Sequence, residues 1–128
     1  MPAPRPGPAL AAAIALGGAA GACLRFGVDE IAPVEPGRWP WATLIVNLAG
    51  AALLGYLATL LRDAPARDLR RPLLGTGLCG ALTTFSTLQV EVIALGRDGH
   101  AGLGAAYLAV SVAAGLACVT AGGLVARR

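Results

Sequence analysis

The residues of this chain that could do chemistry lie inside its most apolar stretches. Gly77-Leu78-Cys79-Gly80-Ala81-Leu82-Thr83-Thr84-Phe85-Ser86-Thr87-Leu88 sits in the middle of an apolar run from Leu73 to Leu95. Glycine loosens a helix, and threonine hydroxyls compete for backbone partners. If the run crosses a bilayer, the cluster lies near mid-depth. An unwound turn there is tolerated only where it faces protein or a wet cavity. In such a place its bare carbonyls hold a cation. Two readings stand: a broken helix that builds a site, and a small-residue packing seam whose hydroxyls bond back to their own helix.

Other polar residues are spaced to meet this cluster. Beyond the glycines, Thr84, Thr87 and Glu91 recur at helical steps as a polar stripe, beside an apolar stripe of Phe85, Leu88 and Val92. A carboxylate within a span is costly unless it faces protein or water. In an earlier run, Thr43, Asn47 and Gly50-Ala51 share one helical face, and Asn47 must point into a bundle, as an inter-helix bond or as a pore-lining donor. Tyr107 and Ser111 are one turn apart in the last run, where the next position on that face, Gly115, is bare. Arg25 ends the first run, either snorkelling to an interface or drawing anions into a vestibule. No nucleophile–base pair, metal cluster or phosphate loop accompanies these residues, so an enzyme is disfavoured. Cys23, Cys79 and Cys118 fall one per run and read as inert buried thiols, and His100 stands alone in a loop.

The elements that must position these groups follow from composition. The chain has 128 residues and a net charge of +3, and 56% of it is apolar against 13% charged. Its mean hydropathy is +0.69, too apolar for a soluble domain of this size. Four apolar runs, at about 9–28, 39–61, 73–95 and 101–125, are each long enough to cross about 30 Å of hydrocarbon as a helix. Short polar connections predict an all-α, up-and-down membrane bundle. Residues 1–8 are Pro-rich and read as a disordered leader. The basic start, apolar stretch and Ala20-Gly21-Ala22 loosely resemble a cleavable signal, but three further spans follow. Gly17 and Gly21, like Gly18 and Ala22, are four apart and give the first span a smooth face for a neighbouring helix. Trp39 and Trp41 mark an interface at the start of the second. All positive charge is arginine, concentrated in the 62–71 loop and at the chain's ends. That predicts both termini in the cytoplasm and leaves no aromatic-laced basic patch for nucleic acid.

Taken in order, these motifs resemble one family. Gly17-Gly18-x-x-Gly21-Ala22-x-x-Arg25-Phe26, Thr43-Leu44-x-Val46-Asn47-x-x-Gly50, and Gly77-x-x-Gly80-x-x-Thr83-Thr84-Phe85-Ser86-Thr87 look like the span signatures of the Fluc (CrcB) fluoride channels of microorganisms. The resemblance implies four spans with a break in the third, assembled as an antiparallel dimer with two fluoride pores in the cell membrane. It implies a structural sodium ion at the dimer centre, held by backbone carbonyls that correspond here to Gly80 and Thr83 of both subunits. The family's pore asparagine corresponds to Asn47, its vestibule arginine to Arg25, its phenylalanine pair to Phe85 and position 88, and its polar track to Tyr107 and Ser111. Thr84, Ser86, Thr87 and Glu91 match residues near or along the pore. Three departures stand out: Leu88 replaces the second aromatic, Ala81 a glycine, and Gly115 a hydroxyl.

These residues suit a small, strongly hydrated anion, whose water a pore must replace with donors. The expected function is passive fluoride efflux that confers resistance to fluoride. The partner is a second copy or a related subunit, the latter favoured by the arginine bias together with Leu88 and Gly115. The alternative from another class is a small multidrug-type exporter, for which Glu91 is the only mid-membrane acid. A non-transporting scaffold is a third.

Overall fold

The computed structural model describes residues 7–128. Most of the expected leader, residues 1–6, lies outside the described residues, but Pro8 is already helical. It opens α1 (Pro8–Ile31) at the position where proline's missing N–H costs nothing. α2 is Trp41–Leu60. The third span begins as α3 (Arg71–Cys79), wound with the wider turn of a π-helix, and closes with one α-helical turn, Gly80–Leu82. It resumes as α4 (Phe85–Arg97), and α5 (Ala101–Val125) completes the bundle. These make four segments long and apolar enough to cross a membrane, as the four apolar runs predict.

The interruption is two residues long. Thr83 (φ −79°, ψ 151°) and Thr84 (φ −145°, ψ 123°) are extended, and the helix restarts at Phe85 with Thr84 as its cap. Gly77, by contrast, lies inside the helix that precedes the break. A Cβ there would stand 2.7 Å from Ile14 O and 2.9 Å from Gly17 Cα. Both readings of the cluster therefore apply, each to its own half: the glycine end is a packing seam and the threonine end is the break.

Small residues set the helix pairings. α1 lies against α3 through Gly17 and Gly21, where a Cβ would overlap the carbonyl oxygens of Leu73 and Leu78. α2 lies against α5 in the same way, Gly55 facing Val119 O and Gly122 facing Ala52 O. In lipid, such close backbone approach replaces the hydrophobic drive that water gives a soluble core. The smooth face of the first span is thus filled from within the chain. Gly18, on another side of α1, has nothing within 4 Å. Two compact clusters complete the interior: Leu44, Leu88, Leu95 and Tyr107 toward one end, and Leu57, Leu61 and Cys79 toward the other.

Candidate functional site

The break is held from α2. Asn47 Nδ2 donates to Thr84 O at 2.9 Å, and the Thr84 N–H donates to Asn47 Oδ1 at 2.8 Å. A carboxamide carries a donor and an acceptor in one plane, as a peptide does, so Asn47 replaces the bonds the broken helix gives up. Thr84 Oγ1 accepts the Thr87 N–H at 3.1 Å, the N-cap bond that a threonine supplies at a helix start. It also donates to Thr87 Oγ1 at 3.0 Å and lies 3.2 Å from Ser86 Oγ.

This arrangement has a consequence for two carbonyls. In an unbroken helix the Thr84 N–H would serve Gly80 O and the Thr87 N–H would serve Thr83 O, each four residues back. Both donors are engaged elsewhere, by Asn47 Oδ1 and Thr84 Oγ1. Gly80 is exposed and Thr83 half-buried. Neutral backbone oxygens released in this way form the donor set that a hard monovalent cation takes at a helix break. The residues present therefore fit the ion that the resemblance implies.

Beside the break is an open groove of about 290 Å³, lined among others by Asn47, Thr84, Phe85, Leu88 and Ser111. Phe85 is 66% exposed in this chain, whereas Leu88 is buried at 3%. Ser111 Oγ is buried and has no hydrogen-bond partner. A buried hydroxyl left without a partner is uncommon, and this one belongs to a residue that borders the groove.

Arg25, Glu91 and Tyr107 form a second constellation. Tyr107 OH and Thr43 Oγ1 each donate to one Glu91 carboxylate oxygen, both at 2.6 Å. Arg25 Nη2 reaches Thr43 Oγ1 at 3.4 Å, while its Nε pairs with Asp29 at 3.1 Å. Arg25 is 8% exposed and its Nη1 has no partner. It is folded inward from the helix end, toward Glu91, so the geometry departs from a simple snorkel.

The structure thus sorts the candidate residues into two groups. Asn47, Gly80, Thr83, Thr84, Phe85, Ser86, Thr87 and Ser111 surround the break and its groove, and Arg25, Glu91 and Tyr107 gather behind Leu88. Thr43, which carries no predicted site role, is the link of the second group, with 1% exposure and bonds to Arg25 and Glu91. Its signal in the sequence is its place one helical turn before Asn47 on the same face.

Comparison with known proteins agrees with this architecture. Residues 12–123 match the family described as CrcB-like protein, Camphor Resistance (CrcB). The chain is 52% identical over 118 residues to a protein of Mycobacterium tuberculosis named fluoride-specific ion channel FluC 1, covering 91% of this chain and 89% of that one. It is 42% identical over 116 residues to FluC 2 of Nocardia farcinica, covering 90% and 83%. It is 41% identical over 115 residues to FluC of Chlorobaculum tepidum, covering 89% and 91%. With the match spanning nearly the whole chain and its four spans, this multi-pass membrane protein belongs to the CrcB family.

Proposed function

We propose that this chain is a subunit of a fluoride-specific channel that lets fluoride leave the cell passively. The relatives are named for that activity. The geometric observation that carries the reading is the buried, unpartnered Ser111 hydroxyl in the groove of Asn47 and Phe85. Fluoride needs replacement donors, each weak enough for the ion to leave again. The groove offers a hydroxyl, the second N–H of the Asn47 carboxamide, and the ring of Phe85, whose edge carries partial positive charge.

The pore is completed by an antiparallel partner, a second copy or a related subunit. Such a partner would cover Phe85, Val112 and Leu116, which are exposed on the single chain. The Gly80 and Thr83 carbonyls would hold a sodium ion, which would supply positive charge beside the break and join two subunits. The chain's own residues keep those carbonyls free and orient the donors. Hydrogen fluoride enters uncharged and dissociates inside. The anion then runs out down its electrical gradient, without an enzymatic step. The exporter reading loses support, because both oxygens of Glu91 are already taken by neutral donors.

The test is fluoride-electrode efflux from liposomes holding the purified chain, with chloride as control. Fluoride efflux without chloride efflux, lost in Phe85→Ile, is the expected outcome. No fluoride flux with or without a co-purified related subunit, or equal chloride flux, overturns the reading. Robust flux from the chain alone excludes an obligate related partner.

A further inference from the structure

α2 touches the interruption at two points one turn apart on a single face. At Asn47 it grips the Thr84 backbone with bonds of 2.9 and 2.8 Å. At Gly50 it receives Thr83: a Cβ built on Gly50 would overlap the Thr83 Cγ2 methyl, while the next nearest atom, Thr83 Cβ, is 3.7 Å away. That methyl cannot turn aside freely. Threonine is stiff at χ1, and Thr83 Oγ1 is tied to Cys79 O at 2.9 Å.

An unbroken helix is the default state of a span in lipid, because it pairs every peptide group internally. Something must therefore compete for the Thr84 N–H and leave room for an extended Thr83. We propose that Asn47 and Gly50 are positioning residues that together hold the third span open, and so keep the carbonyls of Gly80 and Thr83 available to the cation. The inference rests on reading the break as a sodium seat, but its central claim concerns the backbone and is tested there. Asn47 supplies the bond that diverts the Thr84 amide from Gly80 O. Gly50 supplies the space without which Thr83 could not adopt the geometry that presents that amide. Neither acts through contact with the cation.

The experiment compares the parent with Gly50→Ala, Thr83→Ser, the double variant Gly50→Ala/Thr83→Ser, and Asn47→Ala, using the full chain in micelles. Serine keeps the hydroxyl bonded to Cys79 O and removes only the methyl. The first readout is the Thr84 Cα chemical shift, which reports an extended residue in the parent. In Gly50→Ala and Asn47→Ala it moves toward the helical value, as Thr84 rejoins the helix and its amide returns to Gly80 O, and in the double variant Gly50→Ala/Thr83→Ser it returns to the parent's. Thr83→Ser alone leaves it extended. The second readout is dimer melting with sodium in place of choline, since a ligand of the native state raises its stability. The rise seen in the parent is absent in Gly50→Ala and Asn47→Ala and returns in the double variant.

A Thr84 Cα shift that stays extended in Gly50→Ala overturns the proposal, as does failure of the double variant to recover. If Gly50→Ala does not fold but the double variant does, the methyl contact is the cause and the proposal holds. If neither folds, the rescue has failed and the proposal falls. A parent indifferent to sodium sinks the sodium reading alone, and the Thr84 Cα shift then decides the positioning claim by itself.

Discussion

Tyr107 donates its phenolic hydrogen to Glu91 Oε2 across 2.6 Å, from a side chain with no exposed surface. Thr43 serves the other oxygen at the same distance and accepts in turn from Arg25 at 3.4 Å. Thr43 gives its single hydrogen to Glu91 while the guanidinium beside it can only donate to its oxygen. Tyr107 has no cation at its oxygen and can turn to accept. Glu91→Gln, with its amide nitrogen toward Tyr107, keeps both contacts, whereas Tyr107→Phe leaves a buried carboxylate oxygen without a donor. Tyr107→Phe and Thr43→Val should each cost about 1–3 kcal/mol. Glu91→Gln should cost less than either, as read from unfolding midpoints in detergent. A Gln variant weaker than the Phe variant would show that charge, rather than hydrogen bonding, dominates this cluster.

The α2–α5 contact predicts a graded response among glycines. Gly55→Ala and Gly122→Ala drive a methyl into the carbonyls of Val119 and Ala52. Backbone cannot step aside as a flexible side chain can, so each should destabilise the fold by about 1–3 kcal/mol. Gly115→Ala sits in the same helix with nothing within 4 Å. It should be neutral or slightly stabilising, since alanine is the better helix former. Equal effects at positions 115 and 122 would mean that these helices pair through another face.

Much of this architecture could be read from the chain because lipid imposes length and pairing rules that sequence obeys visibly. The spans expected at 39–61 and 101–125 correspond to helices Trp41–Leu60 and Ala101–Val125. The run at 73–95 contains an interruption, at Thr83-Thr84. What could not be read was which neighbour each small residue serves. Gly17 and Gly21 form a smooth face on paper, but only the fold shows that α3 of the same chain fills it. The Thr43–Glu91–Tyr107 cluster joins positions 48 and 16 residues apart, and periodicity within one helix carries no information about that. The sequence leaves Asn47 between an inter-helix bond and a pore donor. One amide N–H is committed to Thr84 O, which leaves the other for the groove.

Outside the spans, the connection before α3 contains a titratable contact. Asp68 accepts the Arg70 guanidinium at 2.7 to 3.1 Å and the Arg70 backbone N–H at 2.9 Å. These bonds, the side-chain ones first, hold its carboxyl below the usual carboxylate range. A group lowered in the folded state contributes stability above its unfolded pKa and loses it as pH falls through the folded one. NMR titration of Asp68 should therefore show a lowered midpoint that returns upward in Arg70→Gln. An unmoved midpoint would mean the pair is not formed in solution.

Leu88 offers the sharpest test of how this chain differs from the aromatic pair its family resemblance implies. Its side chain packs with Leu44, Leu95 and Tyr107, yet it also borders the groove shared by Asn47, Phe85 and Ser111. Leucine presents no quadrupole, so on this wall only Phe85 offers a polarised ring edge to an anion. A phenylalanine at this position has the groove into which to extend, and Leu88→Phe should fold with a penalty at the low end of the about 1–3 kcal/mol that overpacking costs. Fluoride efflux per unit protein should then rise above the parent's, with chloride still excluded. The rise should vanish when Phe85→Ile is added, because two edges facing one ion act together. A Leu88→Phe protein of parental stability that conducts no better would show that the second ring is dispensable here, and that the donors of Asn47 and Ser111 carry the anion past this point.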